Sequence, residues 1–254
     1  MEQAERSTLH WVLIHGAGGS GDLWDLVRPH FPGAWIVDLP GHEAGRARRP
    51  GGTPPQPGPL LRSIDAYADW ISAGIAEQGW ADVVVVGHSM GGAIAQTLGL
   101  RRPAWLRGLV LSSTAARLPV SATLLHLVAT DYPAAVDWVI AHAFAAPPSA
   151  YRRAGIRRQM LRVPPAVTLA DYEACAGFDI TAQVQAGALP GPAVIISGSG
   201  DRMVPPAGSL FLASHISPAR QESIPGAGHM APLEQPEVWA AQVQALWVAV
   251  STAS

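Results

Sequence analysis

VVVVGHSMGGAIAQ, residues 83–96, runs four β-branched residues into a glycine, a histidine and a serine, then into small residues with helical spacing. The valines read as a strand buried on both faces, and GGAIAQTLGLRR as a helix that stops near Pro103. Gly87-His88-Ser89-Met90-Gly91 fits G-x-S-x-G at the junction of strand and helix, the setting in which a serine Oγ is raised above the sheet edge. Glycines on either side let the backbone cross itself where a Cβ would collide. The plainer reading of the same residues is a glycine-rich turn with no chemistry.

Outward from this stretch, short apolar runs alternate with helical patterns. LHWVLI (9–14), AWIVD (34–38), LRGLVLSS (106–113), GPAVIISGSGD (191–201) and the weaker ARQESIPGAGH (219–229) read as further strands. Residues 22–29 read as one or two helical turns. The spacing of Ile64, Tyr67, Ala68, Ile71 and Ile75 predicts a helix over 63–78 with Ser63 as its N-cap, and a last helix runs from about Pro236 to Val250. Strands without in-out alternation, each followed by a helix, predict an α/β fold with about six mostly parallel strands covered on both faces. EAGRARRPGGTPPQPGP, 43–59, is dense in Gly and Pro and reads as loop.

The alternation breaks between 114 and 186, where several helical patterns stand without a convincing strand. The expectation is one core domain formed by 1–113 and 187–254, with 114–186 inserted as a helical cap.

A chain of 254 residues with 48% hydrophobic and 14% charged residues has enough apolar material for a substantial core. A net charge of −2 supplies no basic excess for nucleic acid or an anionic membrane. All 17 basic residues are arginine. The single cysteine, Cys175, excludes an intramolecular disulfide and offers no zinc-ligand cluster. MEQAERSTLH lacks the pattern of a signal peptide, and no run of about 18 apolar residues suggests a membrane span. The expectation is a cytoplasmic protein.

A serine hydroxyl needs a base to become an effective nucleophile. His229, in PGAGHM just past the last strand, lies on the same sheet edge as Ser89. His88 adjoins the serine but must point elsewhere from so tight a turn. His126 and His142 fall on cap helices, and His30, His42 and His215 have no comparable placement. Asp201, just past VIIS, is the carboxylate placed to orient His229, or else an ordinary turn acid. Ser89, Asp201 and His229 follow in the order expected for this architecture, and their joint placement outweighs each alone. The HGAGG loop, 15–19, follows the first strand and can offer the Ala17 N–H beside that of Met90 to a developing oxyanion. It lacks the G-K-[ST] ending and the G-x-G-x-x-G spacing of phosphate loops.

HGAGGSGDLW (15–24), VDLPGH (37–42), GHSMGG (87–92), GSGDRMVP (198–205) and PGAGHMAPLEQPE (225–237) together resemble the α/β-hydrolase superfamily over nearly the whole chain. The resemblance implies Ser89 as nucleophile, Asp201 as acid, His229 as base, a helical cap after the fourth parallel strand, and catalysis without cofactor or metal. Two departures stand out: about eight residues precede the first strand, too few for the usual opening hairpin, and the loop after DLPGH is unusually long. Serine at the nucleophile position favours acyl transfer to water, and the modest cap is similar to that of small bacterial carboxylesterases. The expected substrate is a small apolar carboxylic ester. Lactonase, C–C hydrolase or hydroxynitrile-lyase chemistry on the same triad, and a non-catalytic receptor role, are the alternatives.

Leu124, Val128, Trp138 and Phe144 are candidates for the pocket roof, against a role in holding the cap together. Trp24 either borders the pocket or packs beneath it. Arg152, Arg153, Arg157 and Arg158 are a carboxylate-binding group or, on charge patterning, a solvated helix face.

Overall fold

The computed structural model describes residues 8–42 and 60–251. The long loop at 43–59 lies outside the described residues. Six strands, β1 (His10–Ile14), β2 (Trp35–Ile36), β3 (Val83–His88), β4 (Leu106–Ser112), β5 (Ala193–Gly198) and β6 (Ala219–Ile224), form one sheet in the order β2-β1-β3-β4-β5-β6. Every pairing is parallel.

The runs of valine and leucine are explained by burial on both faces. Val83 and Val85 point to one side and Val84 and Val86 to the other, all fully buried. Val12, Ile14, Leu109, Leu111 and Ile195 share the first side with α1 (Ile64–Glu77) and α2 (Met90–Arg101). Leu13, Val110, Val194 and Ile196 share the second with Trp24, Phe31 and Trp239. A side chain of this kind, once fully buried, stabilises the fold by roughly 1.5–3 kcal/mol. The Ser63 Oγ accepts the Ala66 N–H at 3.1 Å and starts α1 where the sequence spacing places it.

Between β4 and β5 lie five helices, α3 (Ala122–Thr130), α4 (Tyr132–Ala143), α5 (Ala150–Met160), α6 (Pro165–Ala176) and α7 (Thr181–Gln185). No strand interrupts them among the described residues; a single bridge pairs Arg117 with Asp179. Leu124, Val128, Tyr132, Val136, Ile140 and Phe144 give these helices an apolar centre of their own. The chain then returns through β5, α8 (Ala207–His215), β6, α9 (Ala231–Glu234) and α10 (Pro236–Ser251).

β1 and β3 are neighbours, while β2 lies on the far side of β1, so the strand order reverses between β1 and β3. In an open parallel sheet the crevice at such a reversal is where ligands bind, at the carboxyl ends of the strands. Ile14 is in register with Gly87, which sets the HGAGG loop directly beside the turn that carries Ser89.

Candidate active site

Ser89 sits between β3 and α2 with φ 54° and ψ −115°. That combination is costly for a residue with a side chain and persists only where the surroundings enforce it. Here they do: a Cβ on Gly87 would run into the Gly91 carbonyl, and one on Gly91 into the Ile14 carbonyl. The Ser89 N–H donates to Ser112 O at 2.9 Å, and Thr114 Oγ1 donates to Ser89 O at 2.9 Å. Backbone on both sides is thus fixed while the hydroxyl is left at the mouth of the crevice. Among the described residues no side-chain or backbone group hydrogen-bonds the Met90 N–H at the start of α2, or the Ala17 N–H across the crevice.

His229, in the loop after β6, is buried and within 2.9 Å of Asp201 Oδ2 through its Nδ1. Nδ1–H donates to the carboxylate, which leaves Nε2 as the acceptor. Asp201 follows β5, and its Oδ1 accepts the Met203 and Val204 N–H groups, each at 2.9 Å. Burial alone would raise the Asp201 pKa, but His229 and these amides outweigh it and hold the carboxyl below its usual range. The loop that carries His229 is also tied to the helices inserted between β4 and β5. Glu234 Oε1 accepts the Gly228 N–H at 2.8 Å, Oε2 accepts Ala145 N–H at 2.9 Å, and Met230 N–H donates to Ala143 O at 3.2 Å. Arg202 donates to the Ala141 and Phe144 carbonyls, both at 3.0 Å, closing the C-terminal end of α4.

His88 is buried beside the turn and lines the crevice with Ser89 and His229. Its Nε2–H donates to His229 O at 2.9 Å, while Nδ1 is buried without a partner among the described residues. Burial, then the neighbouring His229, bring its pKa down to about 3. His15 is also neutral. Its Nδ1–H donates to Gly16 O at 2.8 Å and its Nε2 accepts Leu39 N–H at 3.2 Å, with burial and His42 holding its pKa well below the usual value.

Two cavities meet at Ser89, and both are lined by Ala17, Ser89, Tyr172, Met203 and His229. The smaller, about 100 Å³, lies under the HGAGG loop and is closed by Leu23, Ile140, Phe144, Ile156, Met160 and Leu233. The larger, about 780 Å³, opens past Leu118, Val120, Leu124, Trp138 and Pro205. Of the roof candidates, Phe144 therefore lines the smaller cavity, and Leu124 and Trp138 the larger. Val128 lines neither and is buried in the apolar cluster of the inserted helices. Trp24 corrects the pocket expectation as well. Ser20 caps the 3₁₀ turn Gly21–Trp24, which carries the indole beneath the loop, 5.5 Å from the Trp239 ring and fully buried. No residue of the arginine-rich α5 is buried, and Arg153 and Arg157 pair with Asp137. They form a solvated face.

Sequence reasoning missed Asp171 and left His42 without a role. Asp171, on α6, is completely buried, and its Oδ2 accepts His42 Nε2–H at 2.7 Å and Gly18 N–H at 2.8 Å. The only sequence signal was His42 closing the DLPGH motif; its partner lies 129 positions away.

Among the described residues no group of three or more His, Cys, Asp or Glu side chains is arranged to hold a metal ion. No helix among them is long and apolar enough to cross a membrane.

The family model described as "Alpha/beta hydrolase family" matches residues 11–242. A pimeloyl-[acyl-carrier protein] methyl ester esterase of Aromatoleum aromaticum is 29% identical over 251 residues, covering 89% of this chain and 93% of that one. A solved thermophilic esterase superposes with a TM-score of 0.79 at 27% identity, over 97% of this chain and 91% of its own. An enol-lactonase from Burkholderia xenovorans superposes with a TM-score of 0.79 at 21% identity, over 97% and 94%, a likeness of fold.

Proposed function

The chain belongs to the alpha/beta hydrolase family, and from that premise we propose that it hydrolyses carboxylic esters through an acyl-enzyme on Ser89. The observation that carries the proposal is the buried Asp201–His229 pair at 2.9 Å, whose histidine lines the same crevice as a strained serine. Esterase relatives over most of the chain support the same class of reaction.

In this mechanism His229 Nε2 takes the Ser89 hydroxyl proton as Oγ attacks the ester carbonyl. The carbonyl oxygen becomes an oxyanion facing the Ala17 and Met90 N–H groups, where preorganised donors stabilise charge without reorganising. His229 passes the proton to the leaving alkoxide, which departs as the alcohol. Water, deprotonated by the same nitrogen, then attacks the acyl-enzyme and releases the acid while Ser89 regains its proton. Asp201 holds the ring in the required tautomer and stabilises the imidazolium. Residues 114–186 act in this reading as the cap over a core made of 1–113 and 187–254.

The substrate is a small-molecule ester whose apolar portion fits the walls of Phe144, Ile156 and Met160. The test is turnover of p-nitrophenyl esters from acetate to laurate by wild type and Ser89→Ala side by side; the pimeloyl-[acyl-carrier protein] methyl ester named for the relatives belongs in the same panel. Turnover that disappears in the variant is the expected result. Equal rates in both, or none on any ester, overturn the proposal.

A further inference from the structure

α6 turns one face toward two loops of the core. Val167 meets Gly41 of DLPGH, Thr168 meets Gly18 of the HGAGG loop, and Asp171 lies one helical turn further on the same face. Both glycines have positive φ, 86° and 61°, and a Cβ on either would come within 2.9 Å of these side chains. Packing this close leaves α6 no freedom to slide without moving both loops. Thr168 is itself held by Tyr132, whose hydroxyl lies 3.0 Å from Thr168 Oγ1 and donates to Met160 O at 3.0 Å.

At the centre stands the Asp171 carboxylate. Oδ2 accepts Gly18 N–H and His42 Nε2–H, and Oδ1 accepts the Tyr67 hydroxyl at 2.6 Å. Both His42 nitrogens face acceptors only, the other being Pro40 O at 3.2 Å, so the ring carries both protons and a positive charge. A cation and an anion with no exposed side-chain surface are costly to bury unless their geometry is closely satisfied. That a cap carboxylate spends this pair on the amide of Gly18 is what requires a functional reason. The peptide after Ala17 is held by Asp171, and the loop ahead of it by Gly19 N–H donating to Gly16 O at 3.1 Å.

We propose that Asp171 is a positioning residue for acyl transfer: from the cap, it clamps the Gly18 amide and so aims the Ala17 N–H at the oxyanion. The clamp rests on the esterase reading above. It makes the cap part of the catalytic geometry as well as the roof of the pocket, because the oxyanion donor is held from α6.

The experiment compares wild type, Asp171→Ala, Asp171→Asn and Val128→Ala. It records kcat and KM on p-nitrophenyl butyrate, inhibition by an alkyl trifluoromethyl ketone, whose serine adduct places an oxyanion between the same donors, and Tm. A misplaced group of this kind costs about 10²-fold, so Asp171→Ala is expected to lose about that factor in kcat with KM within about threefold. Affinity for the ketone falls in parallel. Asp171→Asn recovers most of the loss, since its carbonyl still accepts Gly18 N–H. Val128→Ala, which thins the cap's interior away from both cavities, lowers Tm without this change in kcat. A folded Asp171→Ala with wild-type kcat and ketone affinity overturns the clamp. Hydrogen exchange of the Gly18 amide in the wild type decides the matter even if that variant fails to fold: protection comparable to β3 supports the clamp, and free exchange overturns it. Absence of Ser89-dependent turnover in the wild type instead removes the esterase reading, an outcome the Gly18 measurement keeps separate.

Discussion

The ring of His88 donates to the main-chain carbonyl of His229 at 2.9 Å, across 141 residues of sequence. The residue before the proposed nucleophile therefore fixes the backbone of the proposed base. Because a carbonyl only accepts, Nε2 must carry the proton, and the buried Nδ1 is a bare lone pair.

His88 is accordingly expected to stay neutral, as the Nε2–H tautomer, down to about pH 4. Burial, then His229, hold its pKa near 3, so its contribution to stability is full above the ordinary value of 6.5 and is lost as pH falls toward that lower value. Ring nitrogen chemical shifts across an acid titration check this; an imidazolium at pH 5 would contradict it.

His42 should behave in the opposite sense. Burial pulls its pKa down, but the charge and hydrogen bond of Asp171 outweigh burial and leave it above 6.5. Tyr67 shares the carboxylate, and the neutral His15 ring lies 4.8 Å away, tilted against His42. The contribution is complete below pH 6.5 and fades as pH rises through the raised pKa. In Asp171→Asn the same ring is expected to titrate lower, visible in the same spectra, and the alkaline fall in Tm should flatten.

Asp201→Asn is expected to reduce kcat by on the order of 10³-fold or more with little change in KM, because the amide can donate to Nδ1 and hold His229 in the wrong tautomer. Since the Asp201 carboxyl is held below 3.8 in the folded chain, its contribution to stability is present above that pH and is lost in stronger acid. A variant within threefold of wild type, an informal bound of about 0.7 kcal/mol, would exclude Asp201 as the orienting acid.

Gly87→Ala should cost more than about 3 kcal/mol, because its Cβ faces the Gly91 backbone and neither element can yield alone. Any folded fraction should react slowly with a fluorophosphonate, since Ser89 is displaced with the turn. Urea denaturation and labelling rates measure the two effects, and wild-type stability would show that the turn relaxes freely.

The larger cavity should take the longer of the two ester groups. Val120→Trp, which narrows its wall, is expected to lower kcat/KM for laurate relative to butyrate by about tenfold, near the cost of misfitting one or two methylenes. An unchanged chain-length profile would assign the long group to the space beneath Phe144 instead.

All six strands and the run of helices between the fourth and fifth were legible because each rests on local information. Residues 83–86 are apolar on both faces, and G-x-S-x-G is a backbone requirement written into five consecutive positions. Trp24 was ambiguous, since its direction depends on a 3₁₀ turn that carries it toward Trp239, 215 positions later. Val128 was misplaced because helical apolar spacing looks the same whether the face meets a cavity or another helix.

By itself, the sequence determined the α/β architecture and the place of Ser89, Asp201 and His229 on one sheet edge, because strand periodicity and turn sterics are local properties of the chain. Only the tertiary structure decided that two cavities meet at Ser89 and that Asp171 joins His42, Tyr67 and Gly18. A buried carboxylate is stable only through partners that reach it from separate segments. Those partners lie 104 to 153 positions away, and no spacing rule along the chain encodes their meeting.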